Sequence, residues 1–337
     1  PFTVNLQVPW KRPYKQKLIT NQCYIFPKTT KRELLHLWIN ENLSLLASRT
    51  IMSTSYDKLV SLEFPEVHDN YTERDTMLYA LTLGMGQNPT SPEHLRQVYE
   101  QDLCAVPTMC VTLAHPGFWP RDLNTGLNYA HIVHGAQQLR MHRELPPSGS
   151  VIGKSRIRDV IDKGKDKGAL VYFERKLVDT KDKTPICTME QTLFCRGDGG
   201  MGGSQNQPPM LPGIPERTPD FVVSEQTSPQ TALLYRLNGD MNPLHADPQI
   251  AQNAGFEKPI LQGLATYGFA AQALIRTLCK GDPRRLIALD VRFTAPVYPG
   301  ETLMTKIWKT AEGNAAVQVS VPARETIVID NGKAEFT

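Results

Sequence analysis

No run of apolar residues in this chain is long enough to cross a bilayer. The longest candidate, LATYGFAAQALI (264–275), suits a buried helix instead. No GxGxxG opens a strand–helix unit, and neither a P-loop nor HExxH is present. That removes the usual dinucleotide, nucleotide-phosphate and zinc-protease readings. The six cysteines, Cys23, Cys104, Cys110, Cys187, Cys195 and Cys279, form no CxxC, and no histidine accompanies them at zinc-finger spacing. They read as free thiols of a reducing compartment, since disulfide frameworks suit short secreted chains. A signal peptide is missing too, because no apolar core with a small-residue cleavage site follows the basic start. Nor is there a broad basic face. Residues 1–51 hold eight Lys and Arg against Glu33 and Glu41, a net of +6, which leaves −3 for the rest of a chain whose total is +3. A slightly acidic body argues against nucleic acid as a partner.

What is present is a globular composition. With 337 residues, 40% of them hydrophobic, the chain can build a sizeable core and has room for two domains. The expected division is a basic leader of unknown role (1–51), a first half (52–205) and a second half (206–337). The leader contains TKRELLHLWINENLSLLAS (30–48), a helix candidate that opens with the capping-box pair Thr30 and Glu33. Because Met52 looks like an ordinary start, the leader reads either as a targeting presequence or as a gene-model extension. It is set aside for fold reasoning.

Regular patterning begins at Tyr71. YTERDTMLYALTLGMG (71–86) has helical apolar spacing. Residues 151–179 read as two strands around a Lys/Gly/Asp turn, and 187–196 as a third. The stretch 196–220 is dense in Gly and Pro and reads as a linker. DPQIAQNAG (247–255) has a short helix's punctuation: Asp247 as N-cap, Pro248 first, Gly255 as the stop. A longer helix is expected from about Leu261 to Leu278, followed by strands at 286–298, 301–310, 315–324 and 326–336. The pattern predicts an α+β fold, a curved antiparallel sheet packed on a helix, twice. No internal sequence repeat stands out.

Two stretches carry chemistry. In YRLNGDMNPLHADP (235–248), Gly239 permits positive φ and Pro243 drives Asn242 out of the helical region, so GDMNP is a turn. Asp240 and His245 can then face one another. A carboxylate beside the side chain that titrates nearest neutrality can orient it, or share the activation of a water. The plainer reading makes Asp240 a turn residue and His245 a capping or packing residue. In KPILQGLATYG (258–268), Gly263 lies near the start of the long helix. There a backbone N–H lacks an intrahelical partner and the dipole favours negative charge, as an oxyanion hole for a thioester enolate requires. The plainer reading is close helix–sheet packing.

YRLNGDMNPLHADP followed by FEKPILQGLATYGF resembles the R-specific 2-enoyl-CoA hydratases, the hydratase 2 group of MaoC-like proteins, which also form the hydratase part of peroxisomal multifunctional enzyme type 2. The likeness spans most of 68–337 and takes in YTERDTMLYALTLGMG, NYAHIVHGAQQL, VIDKG, GDGGMGG and RFTAPVYPGETL. It implies a double hot-dog fold, two long helices each wrapped by an antiparallel sheet, and a homodimer. It implies reversible hydration of a trans-2-enoyl-CoA to the (3R)-3-hydroxyacyl-CoA of fatty-acid β-oxidation, with no metal or redox cofactor, CoA being part of the substrate.

By the same resemblance Asp240 and His245 are the catalytic pair, Asn242 helps fix the water, and the Gly263 N–H holds the thioester oxygen. Substrate contacts fall on His134, Gly135 and Lys163 in the first half. In the second they fall on Met241, Pro243 and Leu244 of the loop and on Phe293. Lys163 also suits CoA phosphates as a cation on a turn, although it could equally be a solvated lysine. One departure stands out: the family reads P-I-L-H-G-L where this chain has Gln262, which cannot titrate near neutrality.

Two other classes compete. A non-catalytic acyl-CoA-binding module with a decayed site would have lost Asp240 or His245, and both are here. A hot-dog thioesterase would want a carboxylate on the long helix, and 261–278 has no Asp or Glu. The closing KAEFT spells no SKL-type signal, so a peroxisomal address rests on the resemblance alone.

Overall fold

The computed structural model describes residues 54–337 except 205, 209 and 210, so the leader, its expected helix and Cys23 lie outside the described residues. In chain order the elements are α1 (Tyr56–Val60), β1 (Val67–Tyr71), α2 (Glu73–Thr82), α3 (Pro92–Val98), α4 (Trp119–Asp122), β2 (Ile132–Met141), β3 (Gly149–Asp162), β4 (Ala169–Asp179), β5 (Pro185–Cys195), β6 (Phe221–Gln226), α5 (Thr231–Arg236), α6 (Pro248–Asn253), α7 (Gly263–Thr277), β7 (Leu286–Phe293), β8 (Thr302–Ala311), β9 (Asn314–Val321) and β10 (Thr326–Phe336).

The strands form one antiparallel ten-stranded sheet in the order β1-β3-β4-β5-β2-β7-β10-β9-β8-β6. The first five follow the order 1-3-4-5-2, and the second five repeat it as 6-8-9-10-7 from the other edge. The halves join through β2 and β7, where Gln137 pairs with Val291 and Leu139 with Leu289. This is the double hot-dog, and its internal duplication is one of strand order.

The second half encloses α7. From Ala265 to Ile275 every residue of that helix is buried. It has no charge before Arg276, which pairs with Glu225 of β6. A helix apolar all round belongs inside a core. It starts at Gly263, two residues later than the apolar spacing predicts, because Gln262 is an extended N-cap with ψ 134°.

The first half is different. Its helix α2 has ten residues where the spacing predicts sixteen. The Asp75 carboxylate accepts from the Thr72 N–H at 2.9 Å to open it. Gly84 and Gly86, at φ +84° and +89°, turn the chain away after it. The space a second long helix would take holds the buried segment 105–114, which includes a 3₁₀ turn at Pro107–Val111. This turn packs against α7. Three contacts pin the segment to the sheet. Arg175 of β4 donates to the Val111 carbonyl at 2.7 Å, and Asp69 accepts from the Ala114 N–H at 2.9 Å. Gly153 of β3 has no room for a Cβ, which would lie 2.3 Å from the Ala114 oxygen.

The glycine-rich stretch after β5 is in part no free linker. Gly200 and Gly202 donate to the Asp162 carboxylate at 2.9 Å, and the Ser204 N–H donates to Val160 O. Burial raises the Asp162 pKa, but the surrounding backbone N–H groups outweigh it and hold the carboxyl below its usual range.

Candidate active site

Gly239 takes φ +112°, and the chain leaves α5 into the turn that the Gly and Pro residues predict. Asp240 accepts from the Asn242 N–H at 3.2 Å. Asn242 accepts from the Leu244 N–H at 3.1 Å and so caps a short 3₁₀ turn, Pro243–His245. Arg236 closes the loop from outside by donating to the Asn242 carbonyl at 2.7 Å. Met241 and Pro243 are exposed and Leu244 half-buried, whereas His245 is buried.

His245 Nδ1 lies 2.9 Å from the Ile260 carbonyl oxygen. A carbonyl only accepts, so this bond places the proton on Nδ1 and leaves Nε2 with a free lone pair. Burial lowers the His245 pKa, opposed by the nearby Asp240 charge and the Ile260 bond. The ring is therefore neutral at pH 7, a base with its lone pair available.

The Ile260 bond also ties the loop to the start of α7. A second tie runs the other way: Gln262, buried at 1% exposure, donates from Nε2 to the Ala232 carbonyl of α5 at 3.0 Å. Gln262 thus ties α5, which leads into the loop bearing Asp240 and His245, to the position next to Gly263. Gly263 is the first residue of α7, so its N–H precedes any intrahelical acceptor.

Around Gly263 the sheet contributes a continuous run of contacts. A Cβ on Gly263 would lie 3.5 Å from the Phe293 ring. Phe293, the last residue of β7, meets His134 of β2 edge to face at 5.0 Å between centroids. Burial pushes the His134 imidazole down to about 4, and its Nε2 has no partner among the described residues. Gly135 follows. A Cβ there would lie 3.3 Å from the Thr192 oxygen and 4.0 Å from the Phe194 Cβ.

The structure thus gathers Asp240, Asn242 and His245 on one loop, ties that loop to the segment leading into Gly263, and sets Phe293 beside Gly263 with His134 against Phe293; Gly135 lies farther along, against Thr192 and Phe194. Lys163 stands apart, on the β3–β4 turn, with its ammonium 5.3 Å from the Phe194 ring centroid. Sequence reasoning missed the Ile260 carbonyl, Arg236 and Phe194. Arg236 carries a signal, lying beside Tyr235 in the same motif. A backbone acceptor fifteen residues away carries none.

The fold and this site define a MaoC-like double hot-dog protein. Residues 211–331 match the MaoC like domain, and residues 70–197 match the MFE-2 hydratase 2 N-terminal domain. The 3-hydroxyacyl-thioester dehydratase Y of Mycobacterium tuberculosis is 37% identical over 79% of this chain and 93% of its own. The peroxisomal enoyl-CoA hydratase 2 of Arabidopsis thaliana is 38% identical over 75% of this chain and 86% of its own. A crystal structure of a MaoC-like dehydratase from Phytophthora capsici superposes with a TM-score of 0.74 at 34% identity, over 83% of this chain and 98% of that one. The chain belongs to the MaoC-like hydratase 2 family.

Proposed function

We propose that this protein reversibly hydrates trans-2-enoyl-CoA to (3R)-3-hydroxyacyl-CoA. The observation that carries the reading is the His245–Ile260 bond, which presents Nε2 as a base on a loop tethered to the N-terminus of α7. Asp240 and His245 hold a water between them. Nε2 takes a proton from it as its oxygen bonds to C3. The C2–C3 π pair moves toward the thioester, and the Gly263 N–H holds the oxygen of the enolate. The proton returns to C2 on the same face, so the sum is one water added. Asn242 keeps the turn in shape, and His134, Gly135 and Phe293 line the approach to Gly263. The reaction needs neither metal nor redox cofactor.

A homodimer fits the exposed apolar side chains of Leu81, Leu233, Leu237 and Met241, the last of them inside the catalytic loop. A peroxisomal address takes its support from the Arabidopsis relative. Among the described residues no helix is long and apolar enough to cross a membrane.

The test is direct. Purified protein is mixed with trans-2-decenoyl-CoA, and the conjugated enoyl-thioester absorbance is followed before the product's configuration is determined. Loss of absorbance with the 3R product is expected. Saturable binding without turnover would replace the reading with an acyl-CoA-binding module.

A further inference from the structure

The repeated strand order carries a two-fold relation whose axis lies at the join. Ala136 pairs with Arg292, Gln138 with Asp290 and Arg140 with Ala288, so the axis passes through the Gln138 and Asp290 pair. A half-turn about it carries β2 onto β7. It takes the places of His134, Gly135 and Phe293 to those of Leu286, Ile287 and Met141. These three line a cavity of about 100 Å³ at the opposite end of the join. Ala105 and Pro107 close it, at the start of the buried segment that stands where a second long helix would. Pro107 opens the 3₁₀ turn there as Gly263 opens α7. The cavity is thus the first half's counterpart of the candidate active site, and it is not packed shut.

Its chemistry differs from that of its counterpart. His142 gives its ring Nε2 to Thr188 of β5 at 2.9 Å, and Glu144 stands exposed. What the wall offers is guanidinium N–H. Arg143 holds Asp179 through Nη2 at 2.8 Å and Asp182 through Nη1 at 3.5 Å, while its Nε is buried with no partner among the described residues. Arg284 spends Nε and Nη2 on Asp282, which leaves Nη1 over. A buried donor without an acceptor costs free energy, and a bound group that supplies the acceptor removes that cost. The space is well beyond what one water needs, and apolar walls do not hold a cluster of waters. The acceptor should therefore arrive with an apolar body, and two guanidiniums favour an anionic one. A CoA thioester does not suit the place. The counterpart of the β3–β4 turn, which bears Lys163, is the β8–β9 turn, cut to Glu312 and Gly313. Its one charge is negative and repels phosphates.

We propose that this cavity is a second ligand site, separate from the one bearing Asp240 and His245, and that it takes a short-chain carboxylate. The carboxylate oxygens accept from Arg143 Nε and Arg284, and the hydrocarbon lies against Met141, Leu286 and Ile287. Binding here does not depend on turnover at the other site.

The probe is sodium butyrate, followed by saturation-transfer NMR on the whole protein with and without excess CoA. Saturable binding in the millimolar range is expected, as suits so small a ligand, and CoA should not displace it. Arg143→Lys keeps a cation for Asp179 but has no Nε–H at the cavity. It should weaken binding about tenfold, the loss of one charge-assisted contact. Ile287→Trp should fill the cavity and abolish binding. If that variant does not fold, Arg143→Lys decides alone. Failure to saturate, displacement by CoA, equal binding of the neutral butyramide, or undiminished binding in Arg143→Lys would each overturn the proposal.

Discussion

Strands β1–β5 and β6–β10 trace the same order, yet the segments they enclose are opposites. In the second half that segment is α7, buried on every side, and its first residue belongs to the site. In the first half it is the 105–114 segment, non-helical apart from one 3₁₀ turn and held to the sheet by Arg175, Asp69 and the missing side chain of Gly153. An α-helix satisfies its own backbone, so α7 leaves its N-terminal N–H groups free to face a ligand. An irregular buried segment must borrow partners for its backbone, and a guanidinium on β4 and a carboxylate on β1 supply them. On the proposed reading, one copy of the strand order therefore carries the acid–base loop and the oxyanion donor, while the other supplies walls.

The largest effects should come from the loop of the second half. Asp240→Asn and His245→Gln are each expected to lower turnover about 10²-fold or more, with the fold intact by circular dichroism. Near-normal turnover in both would erase the functional asymmetry between the halves. Stability should respond in the first half. Gly153→Ala drives a methyl to 2.3 Å from a backbone oxygen that has nowhere to go, and it should cost about 2 kcal/mol in chemical denaturation. Gly268→Ala in α7 meets only the flexible end of Leu83, at 2.7 Å, and gains helix propensity, so its cost should stay under about 1 kcal/mol. A reversed ranking would mean that the first half is the looser of the two.

The acid limb of the pH profile sharpens the comparison next. Burial is the main influence on His245, and its folded-state pKa lies below the ordinary 6.5. As pH falls, the unfolded chain binds this proton first. The stability linked to neutral His245 is thus fully present above pH 6.5 and is lost as pH drops through the folded value. The proposed mechanism runs in the same sense, because it requires an unprotonated Nε2. Activity should hold level from pH 8 to 6.5 and decline only below, and a limb that begins above 6.5 would contradict the buried neutral base.

Much of this was legible in the sequence because it is local. The Lys/Gly/Asp turn between β3 and β4, the strands β7 to β10 and the caps of α6 fall where alternation, Gly and Pro place them: Asp247 accepts from Gln249 and Ile250 N–H, and Gly255 takes φ +87°. The turn that bends Asp240 toward His245 follows from Gly239 and Pro243. What escaped depends on distant partners. The short helix in the first half follows from glycines that also look tolerable inside a helix. The stretch GDGGMGG reads as a linker until Asp162, some forty residues earlier, is seen to hold it. Phe194 and Arg196 look like a strand end until the β3–β4 turn brings Lys163 over the ring.

The smallest expected effect concerns the family's missing histidine. Gln262 Nε2 donates to the Ala232 carbonyl, and its Oε1 is buried with no partner among the described residues. A histidine ring can supply the same donor and adds no orphaned amide oxygen. Gln262→His should therefore leave the melting temperature within about 2 °C of wild type, since 1 kcal/mol moves a chain of this size by roughly 1–2 °C. Gln262→Leu fills similar volume but removes this second bond to the Ala232 carbonyl, at about 0.5–1.5 kcal/mol, and loosens α5 from the helix that carries Gly263. If the side chain's task is this tie, Gln262→His preserves kcat while Gln262→Leu lowers it several-fold. Equal kcat in all three would leave the His245–Ile260 bond alone to set the loop against the oxyanion donor.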